Sequence, residues 1–288
     1  MKIHPFKIPK VGEQSLIFQV DEEVVFYNKL HQHEELQITF IEKGEGKILV
    51  GDSIHPYYSG NVFLLGSNLP HVFISDSEEE EKSVMKTIFF NKTLFSVELV
   101  RFPELVGLIP MIEASNAGIH FIQHQHQLGA LINEFGKEDA INRVILFLRI
   151  LKLMSTTATK RLSTFIYSRS YSELEGKRMS SVMNYTVEHF ASTISLEEVA
   201  SIANMNKNAF CRYFRQRTNK TYFQFLIEIR IENACKELIR NKERSIVEVA
   251  ESCGFQNISN FNRKFRELKN TSPFNYRKQQ SLQLEQLA

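Results

Sequence analysis

Leu196-Glu-Glu-Val-Ala200 and, fifty residues later, Ile246-Val-Glu-Val-Ala250 are two copies of one local pattern. The first runs on through Met205, Phe210, Arg212, Phe214 and Arg215; the second through Phe255, Phe261, Arg263, Phe265 and Arg266. The offset is fifty residues up to Met205 and Phe255 but fifty-one from Phe210 and Phe261, so the second turn holds one residue more. Asn219 and Asn270 end the copies at matching places.

Each copy predicts a short helix, a tight turn and a second helix. Ser195 and Ser245 suit N-caps, because a hydroxyl there accepts an orphan backbone N–H. Glu198 and Glu248, three residues on, complete a capping box. Leu196, Val199, Ala200 and Ala203 share one face of a 3.6-residue period. Small Ala200 and Ala250 let the second helix of each copy cross closely. Asn219 and Asn270 fall where the chain needs a left-handed residue, which Asn tolerates best after Gly. This is the helix-turn-helix arrangement, whose second helix enters the DNA major groove.

From about Met179 to Lys278 the chain resembles the AraC family of bacterial transcription regulators. The residues that carry the resemblance are Ser245-Ile-Val-Glu-Val-Ala-Glu-Ser-Cys-Gly-Phe255, Ser259-Asn-Phe-Asn-Arg-Lys-Phe265, Thr271-Ser-Pro-Phe-Asn-Tyr-Arg277 and Arg230-Ile-Glu-Asn-Ala-Cys-Lys-Glu-Leu238. The family usually has Gly where this chain has Asn219 and Asn270. The resemblance implies base-facing positions at Asn208, Cys211 and Arg212 in the first reading helix, and at Ser259, Asn260 and Arg263 in the second. Arg grips guanine O6 and N7 with two hydrogen bonds, and Asn does the same for adenine. Lys207, Arg215, Lys220 and Arg266 read as phosphate contacts, which position a domain without specifying sequence. A long helix, Tyr222 to Arg240, is expected to hold the two reading helices apart.

The 288 residues suffice for two domains. Residues 1–176 hold 17 basic and 22 acidic side chains, net −5, whereas 177–288 hold 18 and 11, net +7. A basic C-terminal third fits a polyanion-binding module, although an ordinary Lys/Arg-rich helical surface has the same charge. Three cysteines, Cys211, Cys235 and Cys253, suit a reducing compartment better than a disulfide framework. The N-terminus carries no signal-like apolar run and no stretch is fit to span a membrane, so the expected location is the cytoplasm.

Upstream, short β-rich segments follow closely: Leu16–Val20, Val24–Tyr27, Glu35–Ile41, Lys47–Val50, Ser59–Leu65, His71–Ile74 and Val84–Phe90, with a charged loop at Asp76–Glu81. Such spacing predicts a small barrel or sandwich. His31-Gln-His33 ahead of Glu35-Leu-Gln-Ile38, Gly60-Asn-Val-Phe-Leu-Leu-Gly66 and Pro70-His71 resemble the cupin-type sensor domain of AraC-family regulators, and Asn91–Phe95 resembles the segment leaving it. In metal-binding cupins two His one residue apart, a Glu and a later His converge. Here His31, His33 and His71 stand at the His places but Gln37 replaces the Glu, a poorer ligand. These four residues are read as lining or flanking an organic effector pocket, or as merely capping a strand; no cofactor is expected, and a metal held by His31, His33 and His71 is the less favoured alternative. His124 and His126 read as exposed helix residues.

Two helices follow. Leu128, Leu131, Ile132 and Phe135 mark the apolar face of one, and Gly136–Asp139 is a turn. Ile141, Val144, Ile145, Leu148 and Leu151 mark the second, which also carries Phe147, Ile150, Leu153 and Met154 and is apolar almost all round. One side is expected on the barrel; the resemblance implies a homodimer interface for the other.

The reading is an α+β chain: residues 1–154 a cupin-like β-barrel with a helical dimerisation pair, 155–177 a linker holding Tyr167 and Tyr171, 178–280 an all-α domain with two helix-turn-helix motifs, and 281–288 a tail. Its expected function is sequence-specific, effector-responsive activation of transcription as a homodimer. The partners are double-stranded DNA, a small-molecule effector and, by family analogy, RNA polymerase. The alternatives are a metal-dependent cupin enzyme fused to a DNA-binding domain, and a regulator whose barrel is only a dimerisation scaffold.

Overall fold

The structure is a computed structural model and describes residues 15–24, 26, 30–76, 82–94, 102–163 and 173–285. The chain forms two compact units, Met1–Lys177 and Arg178–Ala288.

The described residues of the first unit form nine strands: β1 (Leu16–Glu23), β2 (Leu36–Lys43), β3 (Gly46–Val50), β4 (Ser53–Tyr57), β5 (Val62–Leu65), β6 (His71–Ser75), β7 (Ser83–Phe90), β8 (Ile119–Phe121) and β9 (Thr159–Arg161). They form two antiparallel sheets, ordered β1-β7-β2-β5-β8-β9 and β4-β3-β6. Side chains on a strand alternate between faces, and this alternation builds two cores. Leu36, Ile38, Phe40, Val62, Leu64, Ile88 and Phe90 face the helices α2 (Gln125–Phe135) and α3 (Ala140–Ser155). Ile41, Phe63 and Leu65 instead join Ile48, Val50, Tyr57 and Phe73 of the smaller sheet in the core between the sheets. Gln37, Thr39 and Thr87 share that second orientation by the same alternation.

Three strands escape the sequence pattern. β4 contains Pro56 and lies at the edge of the smaller sheet, where a missing N–H costs no ladder bond. β8 and β9 are three residues each and pair with one another. β9 falls inside the stretch read as linker, so the first unit extends past α3, and Leu162 and Ser163 beyond it are buried. The strand expected over Val24–Tyr27 is not seen at Val24 or Phe26; Val25 and Tyr27 lie outside the described residues, as do most of the Asp76–Glu81 loop, Phe95, Tyr167, Tyr171 and the last three residues of the tail.

A short 3-10 turn (Pro103–Leu108) leads into α1 (Ile109–Ala114). His124 caps α2 in a left-handed conformation, φ 53°, and both it and His126 are exposed. Gly129 lets α2 lie close on the sheet, since a Cβ there would stand 2.6 Å from the Phe40 ring. The Asp139 side chain caps α3 by accepting from the N–H of Ile141 and Asn142. Leu146, Phe147, Ile150, Leu151 and Met154 of α3 are buried. Ile141, Val144, Ile145 and Leu148 form an exposed stripe, 76%, 50%, 52% and 37% accessible. Leu151 belongs to the buried side, not to that stripe.

The second unit is helical: α4 (Glu173–His189), whose first five residues precede the unit boundary, α5 (Leu196–Ile202), α6 (Lys207–Thr218), α7 (Tyr222–Arg240), α8 (Ile246–Ser252), α9 (Ile258–Lys269) and α10 (Pro273–Glu285). Both expected capping boxes form, at Ser195/Glu198 and Ser245/Glu248. A third, Thr221/Gln224, starts α7. The repeat is visible in the backbone: Met205 N–H donates to Ala200 O at 2.9 Å and Phe255 N–H to Ala250 O at 3.0 Å. Asn219 and Asn270 are left-handed C-caps, each with φ 55°. The longer second turn holds Gly254 at φ 81°, where a Cβ would meet Ala191 O at 2.7 Å and Phe190 O at 2.9 Å. Arg230 on α7 clips the same loop, donating to Phe190 O and Ser192 O at 2.8 Å each. None of the described helices is long and apolar enough to cross a membrane. None of the three cysteines is in a disulfide, and burial pushes the Cys235 thiol up to about 12.

Candidate nucleic-acid interface and ligand centre

The sequence gives α6 and α9 one apolar stripe each. Phe210 and Phe214 are fully buried and pack with Tyr222 and Phe225; Phe261 and Phe265 are fully buried and pack with Phe255 and Tyr276. Burying a Phe contributes about 1.5–3 kcal/mol, far more than any contact on the outer faces, so these rings fix each helix's rotation. Asn208, Cys211, Arg212 and Arg215 of α6 and Ser259, Asn260, Arg263 and Arg266 of α9 are thereby left exposed. Asn206 caps α6 through Ala209 N–H at 2.9 Å, and Asn257 caps α9 through the N–H of Ser259 and Asn260.

Several of the basic groups are already engaged. Arg263 donates through Nη1 to Glu267 Oε1 at 2.7 Å and through Nη2 to Asn260 Oδ1 at 2.9 Å. Lys264 also reaches Glu267, at 2.6 Å, and these cations hold the Glu267 carboxyl below its ordinary range. Lys207 pairs with Glu197 of α5 at 2.6 Å. Lys220 differs from the other expected phosphate contacts: its side chain is 16% exposed and pairs with Glu228 of α7 at 2.9 Å. One turn further along α7, Glu232 takes Lys269 of α9 at 2.6 Å. Burial pulls the Lys269 ammonium down, but Glu232 together with Cys235 and Glu228 makes the net shift upward. α7 thus ties down the last residue of α9 and the short segment that joins α6 to α7. Sequence reading missed these acidic partners; only Glu267, four residues from Arg263, carried a local signal.

In the first unit His31, His33 and His71 come together. Their ring centroids are 4.4 Å apart for His31–His71, 5.2 Å for His33–His71 and 6.0 Å for His31–His33. His31 and His71 form an isolated antiparallel bridge that fixes the pair. Gln37 lies 3.0 Å from His33 Nε2 and donates to Thr39 Oγ1 at 2.6 Å, and Thr39 meets Thr87 at 3.2 Å. All four expected pocket residues therefore share one locus. Burial holds His71 well below the ordinary imidazole value, assisted by His31 and His33. Burial also lowers His33, opposed by Gln37 and Glu35. The Glu35 carboxylate lies 3.9 Å from His33 Nδ1.

Known proteins match both units. Residues 14–96 match the AraC-like ligand binding domain, and residues 199–279 match a helix-turn-helix domain of the type found in these regulators. The chain thus carries the two domains, in order, of an AraC-family transcription regulator. It is a DNA-binding transcription regulator, with an antiparallel-sheet ligand-binding domain ahead of a helical DNA-binding domain. It is 25% identical over 272 residues to the uncharacterized HTH-type transcriptional regulator YdeC of Bacillus subtilis, covering 91% of this chain and 90% of that protein. It is also 25% identical over 255 residues to the HTH-type transcriptional activator RhaR of Mannheimia succiniciproducens, covering 86% of each. Among solved structures, the DNA-binding domain of AdpA in complex with a target DNA matches with a TM-score of 0.34 and 30% identity, covering 35% of this chain and 91% of that one.

Proposed function

We propose that this regulator is an effector-responsive activator acting as a homodimer in the cytoplasm. The observation that carries the DNA reading is that both motifs expose one polar, Arg-bearing face on a helix whose opposite face is locked by buried Phe pairs. On this reading Asn208, Cys211, Arg212, Ser259, Asn260 and Arg263 read base edges, Cys211 giving an apolar contact such as a thymine methyl. Lys207, Arg215, Lys220 and Arg266 take phosphates, Lys207 and Lys220 by exchanging Glu197 and Glu228 for phosphate oxygens.

Activation is supported by the relatives named as activators, and RNA polymerase follows as a partner by analogy. The exposed stripe Ile141, Val144, Ile145 and Leu148 supports a second copy at α3, because contiguous exposed apolar side chains mark association surfaces. The centre formed by His31, His33, Gln37 and His71 is where the effector binds. An effector acts only by its difference in affinity between DNA-competent and DNA-incompetent states.

The test is selection of sites from a random DNA pool by the full chain, each titrated against salt. A motif spanning two adjacent major grooves, bound far above random DNA, is the expected result. Weak binding with no motif and a steep salt slope would refute sequence-specific reading.

A further inference from the structure

Among the described residues, one group of side chains has the composition and closeness to hold a metal ion: one ring nitrogen each of His31, His33 and His71, all within 4.8 Å of one another. Closeness alone decides little, since imidazoles also cluster by packing. The hydrogen bonds around the rings decide more.

His71 Nδ1 lies 2.8 Å from Leu69 O, and His33 Nδ1 lies 2.9 Å from Glu35 O. A carbonyl only accepts, so in each ring Nδ1 carries the hydrogen and Nε2 presents a lone pair. Metal-bound imidazoles are characteristically held this way, the far N–H donating to a backbone carbonyl that fixes tautomer and orientation. His71 Nε2 is buried and has no hydrogen-bond partner, although buried nitrogens are ordinarily satisfied. Opposite His33 Nε2 stands Gln37 Oε1 at 3.0 Å, a second acceptor facing the first. Gln37 is turned this way by its own N–H donation to Thr39 Oγ1 at 2.6 Å, in a buried chain that continues to Thr87. Turning the amide over would satisfy the His33–Gln37 pair but would leave His71 Nε2 as it is. A cation among these lone pairs satisfies both.

We propose that His31, His33 and His71, with Gln37 Oε1 as a fourth donor, bind a divalent transition-metal ion of the Zn2+ or Co2+ kind. Three imidazoles and an amide oxygen are neutral donors suited to such ions and poorly suited to Mg2+ or Ca2+. Metal–nitrogen bonds of about 2.0–2.1 Å set tetrahedral donors roughly 3.3 Å apart, so ring rotations on the order of an ångström close the set. The inference rests on reading this locus as the ligand centre of the first unit, and not on how the second unit reads DNA.

The experiment is titration of chelator-treated, untagged full-length protein with Co2+, followed by its visible absorption and by metal analysis. The expected result is one Co2+ per chain with a tetrahedral spectrum, lost in His71→Gln. Gln37→Glu adds a charged donor and is expected to tighten binding at least tenfold; a merely damaged fold would not gain affinity. Circular dichroism of each variant checks its folding. Absence of a stoichiometric Co2+ complex in the folded wild type overturns the proposal. So does binding that neither His71→Gln nor Gln37→Glu alters. An organic metabolite that raises the melting temperature of a protein binding no metal would overturn the ion while leaving the sensor reading intact.

Discussion

Replacing Arg263 by alanine removes the guanidinium that the structure holds most firmly on a reading face. Its two terminal nitrogens are fixed, one turn back to Asn260 and one turn forward to Glu267, so its fork is oriented before DNA arrives. Those same nitrogens would pair with guanine O6 and N7. Binding therefore exchanges an exposed i,i+4 ion pair, 59% and 46% accessible, for a two-bond base contact. Exposed pairs of this kind stabilise weakly, whereas a bidentate base contact is worth about 1–3 kcal/mol of discrimination. The base contact wins, and Arg263→Ala is expected to weaken the preferred site about 5- to 150-fold while relaxing one base position. Arg263→Lys separates charge from geometry: it restores the salt dependence but not the discrimination, because an ammonium has no planar fork. Glu267→Gln should raise affinity on every sequence by removing a carboxylate from the DNA-facing side. The assay is competitive titration of the selected site against single-base variants and random DNA at fixed salt. If Arg263→Ala weakens matched and random DNA by the same factor, Arg263 is a phosphate contact and the assignment of base readers on α9 fails.

Gly254→Ala should destabilise the helical unit by about 2 kcal/mol or more, since a left-handed alanine costs about 1–2 kcal/mol and its Cβ would meet two backbone carbonyls within 3 Å; denaturant midpoints followed by circular dichroism would test this. If the proposed homodimer forms through α3, Ile145→Asp should convert it to monomer in sedimentation without unfolding α3, because Ile145 is half exposed; a wild type that sediments as a monomer, or a variant with an unchanged sedimentation coefficient, would refute an interface at α3. His120 gives a pH prediction. Burial, then Lys160 and His55, lower it from 6.5 to about 4. The unfolded chain therefore takes this proton first. The stability present above pH 6.5 declines as pH falls toward 4, by on the order of 2 kcal/mol at pH 5. His120→Gln should flatten that part of the profile, and an unaltered slope would show that other groups carry it.

The helical half was legible because its signals are local. The capping boxes, the apolar period and the terminal asparagines each involve residues within a few positions, and the residue-by-residue repeat fixed α5, α6, α8 and α9 together. The sheet half was legible only where strands alternate over several residues. β8 and β9 are three residues long, and β4 carries a proline. Such strands exist through partners elsewhere in the chain, as when Ile119 pairs with Arg161, and no window of sequence contains that information. The same division applies to the sites. The spacing of His31 and His33 put two imidazoles on offer, and the carbonyls that set the tautomers are only two residues away in sequence, but the bridge that brings His71 to the pair is tertiary. The outward positions of α6 and α9 followed from where Phe recurs. The ties of Lys220 and Lys269 to α7 did not, because Glu228 and Glu232 lie on a different helix.

The ties of α7 to α9 and to the α6–α7 connection, with Arg230 and Gly254 fastening the lead-in loop of the first motif against the turn of the second, make the DNA-binding unit a ruler. Its two marks cannot slide independently. A one-base-pair insertion between two segments read in this way would rotate one by about a tenth of a turn relative to the other, and these tethers oppose a matching rotation of the protein. Binding sites in a genome could then drift letter by letter, each change costing a graded amount of affinity. A change in length between the two segments would be lost at once.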